Sequence, residues 1–378
     1  MAYHFELPLI TELTIPQQVV LNEVRAVSIS GGPGTGKSIV SLWRHLQNYD
    51  LERRKSLLLT YNKSLKAYFS LALKSPSLNV KAITKEKTSE ATNTTYLWIS
   101  HGLSSEFDEI IIDEAQDLDI ENYELIKKYT KMVSYGIDRN QSMYLSSQKL
   151  QELVDGLPAL FTDNIIIPPL NENFRNTYQI THFVRSLFPN RIFPNGQTDG
   201  EKPILVCTDN DQSVQIKVIF DIINRFHSDS HNIAILVPLV NPALHRQKVV
   251  RDYYNILNEN GFKCSFYEND NGELLKMENI HITTFKSAKG LEFDTVIIPD
   301  FQYFEEDIKR LNVVNDNDYY VTLTRAKRNL ILIDNSKTNM NNRCSLLFLQ
   351  SQITNNILSV DYDYVKKATI EEPDDLPF

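Results

Sequence analysis

Cysteine is nearly absent from this sequence. The three cysteines, Cys207, Cys264 and Cys344, lie far apart and do not have the spacing of a metal site. We therefore expect reduced thiols and no disulfide framework. Long hydrophobic runs are also missing, so we expect no membrane-spanning helix, and the first ten residues lack the basic and apolar segments of a secretory signal. These absences predict a cytoplasmic protein that has no membrane partner.

Positive charge is scarce as well. The chain of 378 residues has 39 Lys and Arg against 48 Asp and Glu, which gives a net charge of −9. This balance argues against a generally basic protein that coats nucleic acid, although it is compatible with a local basic track. The length predicts two domains, or three, and a hydrophobic content of 42% is ordinary for globular cores.

Glycine is scarce too, with 12 residues, yet it is concentrated in the segment GGPGTGKS, residues 31–38. This segment matches the pattern G-x-x-x-x-G-K-[ST], follows a strand-like apolar run and precedes an apolar-periodic helix. That context is typical of a phosphate-binding loop, in which backbone N–H groups surround phosphate oxygens; a glycine turn that matches by chance is the alternative. We expect Lys37 to reach the β- and γ-phosphates and Ser38 to ligate Mg²⁺. The loop residues predicted to bind a nucleotide are Gly31, Gly34, Thr35, Gly36, Lys37 and Ser38.

Acidic residues at the end of another strand complete this signal. In EIIIDEAQD, residues 109–117, an apolar run ends in Asp113 and Glu114. A carboxylate at a strand end can hold Mg²⁺, and its neighbour can accept a proton from an attacking water. We assign Asp113 to the metal and Glu114 to the base, with an ordinary acidic loop as the alternative. Gln141 follows another predicted strand, at the place where a γ-phosphate sensor is expected.

The whole chain alternates strand-like and helix-like segments, which predicts parallel sheets covered by helices on both faces. Further strands are predicted at residues 26–30, 56–60, 79–84, 131–135, 203–207, 232–237, 263–267, 280–284, 295–299 and 330–333. Helices are predicted at residues 212–226, 246–260 and 343–358. Glycine and proline residues between 155 and 170 indicate a domain boundary. The predicted domains are 1–163 and 164–345, followed by a helix end and an acidic tail at 346–378.

Polar residues follow the strand at residues 56–60. Asn62, Lys63 and Lys66 lie just beyond its carboxyl end, which is the edge where open α/β sheets bind ligands. These three side chains are placed to meet a phosphate backbone, and an ordinary solvated loop and helix start are the equal alternative.

Taken together, these segments resemble the motifs of the UvrD/Rep-like branch of superfamily 1 helicases, in the family's order, over residues 13–333. In the first half, LTIPQQVVL resembles the Q motif, LLLTYNKSL the strand-end motif that touches single-stranded DNA, and GIDRNQSMY the coupling motif. GGPGTGKS and IIIDEAQD match the two nucleotide motifs. In the second half, LNENFRN resembles the motif with an adenine-stacking aromatic and an arginine, TFKSAKGLEFD the KGLEF motif, and YVTLTRAK the arginine-finger motif.

The resemblance implies two RecA-like P-loop domains, with ATP and Mg²⁺ in the cleft between them and single-stranded DNA across both; RNA is the alternative strand. It assigns Gln17 and Phe174 to the adenine and Glu292, in the same motif as Gly290, to the ribose. The implied catalytic residues are Lys37, Glu114, Gln141, Arg175 and Arg325. The implied nucleic-acid contacts are Thr60, Asn62, Lys63, Thr84, Thr284 and Lys286. Because Arg175 and Arg325 lie in the second half, we expect closure of the two halves to complete the site.

The sequence departs from the family pattern in three places. The large inserted subdomains are nearly absent, since only 53 positions separate Thr60 from Asp113 and 109 separate Arg175 from Thr284. Lys286 stands where the family often has His, and Leu145-Ser-Ser-Gln replaces the usual Arg-Gly-Ala type of sequence. We expect an ATP-hydrolysing helicase or translocase-like motor. The alternative is a nucleotide-switch ATPase subunit that unwinds little by itself, in a DNA repair or anti-phage assembly with a nuclease or another protein.

Overall fold

The computed structural model describes residues 2–5, 7–74, 78, 80–191, 193–238, 248–268, 276–310, 314–336 and 347–361. These residues form two α/β domains, each built on a sheet whose neighbouring strands are parallel. The predicted fold class, two RecA-like domains with helices on both faces of a parallel sheet, is confirmed. Within the described ranges, no helix has the length and apolar character that crossing a membrane requires.

The first domain alternates strands and helices along the chain. Its strands are β1 (Val27–Ser30), β2 (Ser56–Thr60), β3 (Thr92–Thr94), β4 (Glu109–Ile112), β5 (Met132–Ile137) and β6 (Ile165–Ile166). Its helices are α1 (Ile15–Asn22), α2 (Lys37–Asp50), α3 (Lys63–Lys74), α4 (Ala82–Glu90), α5 (Thr95–His101), α6 (Ile120–Ile126) and α7 (Ser147–Leu160). The strand order across the sheet is β3-β2-β4-β5-β1-β6, and the described pairings are parallel.

Alternate residues of the central strands enter two separate apolar cores. Leu58 in β2 and Ile111 in β4 belong to one cluster of buried side chains. Leu57, Leu59 and Ile110 belong to another. Because successive side chains of a strand point to opposite faces, helices must cover both faces of this sheet.

The second domain begins with a small sheet and continues with a large one. The small sheet pairs β7 (Asn173–Thr177) with β8 (Gly196–Thr198). The strands of the large sheet are β9 (Ile204–Cys207), β10 (Ile233–Val237), β11 (Ser265–Tyr267), β12 (Ile280–Thr284), β13 (Phe293–Ile298), β14 (Ala326–Asp334) and β15 (Ser359–Asp361). The helices are α8 (Tyr178–Leu187), α9 (Gln212–Phe226), α10 (Val250–Glu259), α11 (Phe304–Arg310), α12 (Asp316–Leu323) and α13 (Gln350–Thr354). The order of the large sheet is β11-β12-β10-β13-β14-β9-β15.

The two domains share one apolar cluster. Ala234 and Leu236 of β10 belong to the same cluster of buried side chains as Val27 of β1. Ile233 and Ile235, on the other face of β10, pack in a cluster that contains only residues of the second domain. One face of each sheet therefore contributes to a continuous core, and the domains pack directly on each other.

Two local predictions are wrong. The described part of the predicted strand at residues 79–84 contains no strand, because residues 82–84 form the start of helix α4, and Asn79 lies outside the described residues. The true strand, β3, has the sequence TNT, whose lack of apolar residues hid it. The helix predicted at 343–358 is restricted to α13, with residues 343–346 outside the described part. The helix predicted at 246–260 begins at Val250 in its described part.

The predicted domain limits also need correction. The first sheet continues past residue 163, because β6 pairs with β1. The second sheet continues past residue 345, because β15 pairs with β9. At the other end of the chain, Ala2 bridges to Glu278, and the Tyr3 backbone N–H donates to the Met277 carbonyl at 2.8 Å. The first described residues therefore pack on the second domain.

Candidate functional site

A cavity of about 590 Å³ lies between the two domains and collects most residues that the sequence predicts to bind a nucleotide. The first domain contributes Gln17, Gly34, Thr35, Gly36, Lys37, Ser38, Glu114 and Gln141 to its lining. The second domain contributes Phe174, Arg175, Gly290, Glu292 and Arg325. Several segments from the two domains, far apart in the sequence, therefore build one site.

The glycine loop follows β1 and leads into α2, as the sequence pattern predicts. Gly34 and Gly36 have φ angles of +73° and +84°, in the left-handed region that favours glycine. A Cβ atom at Gly34 would collide with Asn173, and one at Gly36 would collide with the amide of Gln17. The positive φ angles favour glycine at both positions, and the side chains of Asn173 and Gln17 leave little space for a Cβ atom.

Lys37 is buried inside this loop. Its Nζ donates to the carbonyl oxygens of Gly31 at 2.8 Å and Gly32 at 2.9 Å, and it lies 3.7 Å from Oδ2 of Asp138. The ammonium is thus held at the loop by backbone oxygens and a carboxylate. A phosphate oxygen bound by the loop would meet this cation without a change of fold.

Asp113 follows β4 and carries an unusual carboxyl group. Both of its oxygens are buried and have no hydrogen-bond partner in the described structure. Burial, and to a smaller extent the charge of Glu114, raises the pKa of Asp113 to about 7. Ser38 and Lys37 lower this pKa, but their effects are smaller. An unpaired buried carboxylate beside a hydroxyl suits a hard cation such as Mg²⁺, which prefers oxygen ligands. Among the described residues, no cluster of three His, Cys, Asp or Glu side chains could hold a metal ion by itself.

Glu114, the predicted base, has a positive φ of 58°, which is rare for a residue with a side chain. Its carboxylate accepts a hydrogen bond from Nε2 of Gln116 and lies 3.7 Å from Nζ of Lys289. Burial alone would raise the pKa of Glu114, but the positive charges of Lys289, Lys37 and Arg325 lower it below its usual value. The carboxylate is therefore ionised at neutral pH, the state in which it can accept a proton.

Gln141 connects the two domains through its side chain. Its Nε2 donates to Oδ2 of Asp138 at 2.6 Å, and its Oε1 accepts from Nη2 of Arg325 at 3.0 Å. Because Asp138 also lies beside Lys37, one chain of contacts joins the lysine that is predicted to bind phosphate to the predicted arginine finger.

The two predicted arginines occupy different environments. Arg325 is fully buried and also donates to the carbonyls of Val321 at 2.9 Å and Leu291 at 3.3 Å. Burial, reinforced by the charge of Arg175, lowers the pKa of Arg325 to about 9, so the guanidinium remains charged at pH 7. Arg175 pairs through Nε with Oε2 of Glu292 at 2.9 Å. Burial would raise the pKa of Glu292, but the charge of Arg175 lowers it.

Phe174 and Gln17 lie at the part of the cavity predicted to hold the base. Phe174 is 51% exposed, and its backbone N–H donates to the carbonyl of Gly34 at 2.9 Å. Gln17 is buried, and both ends of its amide are occupied: Oε1 accepts from the Thr14 N–H at 2.8 Å, and Nε2 donates to the Thr35 carbonyl at 3.1 Å. Gln17 therefore supports the glycine loop in this structure, and its contact with adenine stays a prediction.

The segment before α1 forms a wall of the cavity that the sequence analysis missed. The Tyr3 hydroxyl donates to the backbone carbonyl of Glu292, and the Tyr3 ring meets the Tyr68 ring edge-on at 5.9 Å. Farther along, the indole of Trp43 donates to the Pro8 carbonyl at 3.0 Å. This segment crosses from the second domain to the first. Its aromatic and apolar residues are the sequence signal that could have indicated a packed segment.

Lys289 is a second residue that the sequence analysis missed, although it lies inside the segment TFKSAKGLEFD. It is buried, pairs with Oδ2 of Asp117 at 2.6 Å and donates to the carbonyl of Gln141. Burial raises the pKa of Asp117 to about 6 although the charge of Lys289 opposes the shift. No local pattern predicts this pairing, because its partners lie in the other domain.

Five of the six residues that the resemblance predicts to contact nucleic acid divide into three groups. Thr60 and Thr284 are buried at the carboxyl ends of β2 and β12. Lys63 and Lys286 are half-buried. Asn62 is turned to the other domain, because its Nδ2 donates to the Lys289 carbonyl at 3.1 Å.

Thr84 is wrongly predicted to lie at a strand end. It is buried within α4, with its hydroxyl 3.4 Å from Oδ1 of Asp50. Residues at the end of β3 occupy the expected place, since Thr94 pairs with Thr60 in the sheet.

An aromatic pair at this strand edge was not predicted. The rings of Tyr61 and Tyr144 lie 4.3 Å apart at an angle of 33°. Tyr144 is 36% exposed, and Nζ of Lys286 lies 5.9 Å from its ring centre. Two aromatic rings with an adjacent cation can stack a base and neutralise a phosphate.

Comparisons with known proteins agree with this geometry. A profile of the UvrD-like helicase C-terminal domain matches residues 247–337, and a profile of the AAA domain matches residues 17–146. A relative from Acanthamoeba polyphaga mimivirus, named "Putative ATP-dependent DNA helicase R568", is 27% identical over 271 residues, which cover 66% of this chain. This chain spans 37% of the length of that relative.

Solved structures that align with the chain do so with low similarity. The Arterivirus nonstructural protein 10 (helicase) aligns with a TM-score of 0.41 and 12% identity over 84% of this chain and 61% of its own. The C-terminal domain of a possible DNA helicase from Lactobacillus plantarum aligns with a TM-score of 0.35 and 21% identity over 50% of this chain and 98% of its own.

The raised pKa of Asp113 predicts a pH-dependent stability. Between the usual carboxyl pKa and about 7, the folded chain keeps a proton that the unfolded chain releases, so wild-type stability falls as pH rises through this window. Asp113→Asn removes this titration. In thermal melts without nucleotide or Mg²⁺, we expect the melting temperature of the variant, relative to wild type, to increase from pH 5 to pH 7 and then level off. The exposed Asp163→Asn serves as control. If the difference in melting temperature between Asp113→Asn and wild type does not change with pH, the raised pKa of Asp113 is contradicted.

Proposed function

Since the chain is a member of the UvrD/Rep-like branch of the superfamily 1 helicases, we propose that it is a motor that hydrolyses ATP on single-stranded nucleic acid. DNA is the favoured strand, and RNA is the alternative. The convergence of Lys37, Gln141 and Arg325, from both domains, on one cavity carries this proposal. The name of the mimivirus relative, an ATP-dependent DNA helicase, supports the same activity.

In this proposal, the phosphates of ATP bind at the glycine loop, where backbone N–H groups and Lys37 provide positive charge. The adenine lies against Phe174, and the ribose meets Glu292. Asp113 and Ser38 would hold Mg²⁺, which would neutralise part of the phosphate charge. The unpaired carboxyl oxygens of Asp113 support this role.

The reaction is attack by water on the γ-phosphorus. A bond forms from the water oxygen to the phosphorus, the bond to the oxygen bridging the β- and γ-phosphates breaks, and Glu114 accepts the proton of the water. ADP and inorganic phosphate are the products. Arg325 and Arg175 stabilise the negative charge on the transferred group, and Gln141 orients the water or senses the γ-phosphate. To reach the transferred group, the Arg175 side chain must break its ion pair with Glu292 or extend beyond that carboxylate.

Domain movement follows from the way the site is divided. The contacts from Phe174 to Gly34 and from Arg325 to Gln141 cross between the domains, so they depend on the relative position of the two sheets. ATP binding and product release would change which of these contacts form. If a nucleic-acid strand lies across both domains, this change moves one domain along it.

We expect hydrolysis to depend on Lys37 and Glu114 in different ways. Lys37→Ala removes a cation at the phosphates and should lower both nucleotide binding and turnover. Glu114→Gln keeps the size of the side chain but removes the base, so turnover should fall by about 10²- to 10⁴-fold while nucleotide binding is retained. Phosphate release and nucleotide binding, measured on the same samples, separate the two effects. Lys149→Ala, which removes an exposed lysine paired with Asp119, is the control. Undiminished turnover by Glu114→Gln would refute the assigned mechanism.

The nucleic-acid track is proposed to run along the carboxyl ends of the two sheets, past Tyr61, Tyr144 and Lys286. The ring pair and the adjacent ammonium support this assignment. Aromatic stacking suits a motor because every base has a π-face, so binding tolerates changes of sequence. A track of this kind needs only a local positive charge, which is compatible with a net charge of −9.

Loss of the exposed ring should weaken strand binding. Tyr144→Ala is expected to raise the Kd for a single-stranded oligonucleotide between about 5- and 150-fold, because base stacking contributes about 1–3 kcal/mol. Fluorescence anisotropy without nucleotide measures this change directly. Tyr144→Phe keeps the ring and should bind as wild type does. Tyr178→Ala removes another exposed tyrosine, which packs on His182, and is the control. Equal affinities of Tyr144→Ala and wild type would remove the aromatic pair from the proposed track.

A switch subunit is the alternative function that the sequence leaves open, and the comparisons with helicase families and a helicase relative do not favour it. Between β2 and β4 the described chain contains only α3, α4, β3 and α5, all of which belong to the first domain. Such a subunit would use ATP to change shape inside a larger complex, with a nuclease or another protein as its partner. Robust unwinding of a tailed duplex by the isolated chain would count against this candidate. We also propose a cytosolic location, in agreement with the low cysteine content of the sequence.

A further inference from the structure

Three consecutive backbone carbonyls of the first domain accept hydrogen bonds from side chains of the second domain. The Asn140 carbonyl accepts from Nη1 of Arg191 at 2.7 Å. The Gln141 carbonyl accepts from Nζ of Lys289, and the Ser142 carbonyl accepts from Nδ2 of Asn317 at 2.5 Å. The three carbonyls belong to the loop that carries Gln141. We call this loop the sensor loop (residues 140–142).

Two of the three donors support each other. Nη2 of Arg191 donates to Oδ1 of Asn317, whose amide nitrogen is the donor to the sensor loop. The guanidinium of Arg191 also lies 4.6 Å from the ring centre of Tyr320 and 5.5 Å from that of Phe188. Stacking on aromatic rings fixes the plane of a guanidinium and therefore the direction of its N–H groups. Arg191 is thus held by the second domain in the orientation that the sensor loop needs.

The sensor loop is also connected to the reacting groups of the first domain. The Ser142 hydroxyl donates to the Gln116 carbonyl at 3.2 Å, and the Gln116 side chain donates to Glu114. The Gln116 amide oxygen accepts from the Asp138 N–H at 2.9 Å. The loop therefore lies between the second domain on one side and the proposed base on the other.

We propose that Arg191 and Asn317 are positioning residues that hold the sensor loop to the second domain, so that Gln141 faces the γ-phosphate only when the domains are closed. This inference rests on the proposed hydrolysis of ATP. Neither residue lines the nucleotide cavity, so each acts through Gln141 rather than on the substrate. When the domains separate, Arg191 and Asn317 withdraw from the carbonyls of Asn140 and Ser142, and Gln141 loses its orientation.

A double-mutant cycle tests whether Arg191 acts through Gln141. Arg191→Ala should lower kcat about tenfold with little change of KM, because the sensor loop loses a hydrogen bond from a charged donor and Gln141 loses its orientation. In a Gln141→Ala background, the same substitution should lower kcat less than about twofold, because the residue it positions is already gone. Arg191→Lys keeps a charged donor and should restore part of the activity. If the two substitutions lower kcat independently, so that their effects multiply in the double variant, the proposal is overturned. A change of KM alone in Arg191→Ala would overturn it as well.

Matched variants separate positioning from folding. Arg225 is an exposed arginine of α9 that lies over Phe226 at 5.1 Å, and Arg225→Ala should leave kcat unchanged. Asn317→Asp keeps the size of the side chain but removes the donor to Ser142, and it should reproduce the kinetic effect of Arg191→Ala. Equal melting temperatures of the variants in both backgrounds would assign the loss to positioning.

Amide hydrogen exchange tests the same contacts without turnover. In the intact chain, Arg191→Ala and Asn317→Asp should accelerate exchange in a peptide that covers residues 138–144, and Arg225→Ala should not. Unchanged exchange in that peptide would overturn the proposal by itself. A wild-type chain that shows this protection but hydrolyses no ATP would refute the proposed function and leave the attachment of the loop established, so the two failures can be told apart.

Discussion

The hydrogen bond from Arg325 to Gln141 is the interaction on which the rest of this site depends. A buried guanidinium is stable only when its donors are paired, and removal of one partner of a buried charge typically costs about 3–5 kcal/mol. Three of the acceptors for Arg325 come from its own domain, at Val321, Leu291 and Thr324, and the fourth is the side chain of Gln141 in the other domain. The stability of the buried charge and the closed position of the two domains are therefore coupled. A nucleotide that draws Arg325 to its phosphate must take over the role of Gln141.

The parallel sheets explain why these groups meet. In each domain the polar loops extend from the carboxyl ends of buried strands, which is the edge where open α/β sheets bind ligands. Packing of the two sheets around a shared apolar cluster brings the two edges together. The glycine loop, Asp113 and Gln141 extend from one edge, and the segment of Lys289 and Glu292 follows β12 at the other. The fold thus places the glycine-loop end of the cavity, and the aromatic pair at Tyr61, close to the same interface.

Much of this site could be predicted because its signals are local. The glycine loop, Asp113 and Glu114 lie in short segments with recognisable residue patterns. The order of the segments along the chain predicted the roles of Arg175 and Arg325. Thr84 was misplaced because β3 is three polar residues long and has no apolar period to detect. Tyr3, Lys289 and Arg191 were missed for another reason: each bonds to residues more than fifty positions away, so no window of the sequence contains the interaction. The sheet edges at β6 and β15 were missed because these strands are only two and three residues long, too short to show a period.

The central claim is that a nucleic-acid strand and the nucleotide cavity act on each other through the contacts between the domains. The most direct test is the steady-state rate of ATP hydrolysis by the wild-type chain, measured with and without single-stranded DNA. Our account predicts hydrolysis that DNA strongly stimulates, because a strand bound across both sheets favours the closed arrangement in which Arg325 and Gln141 meet. A rate that is the same with and without DNA would contradict it.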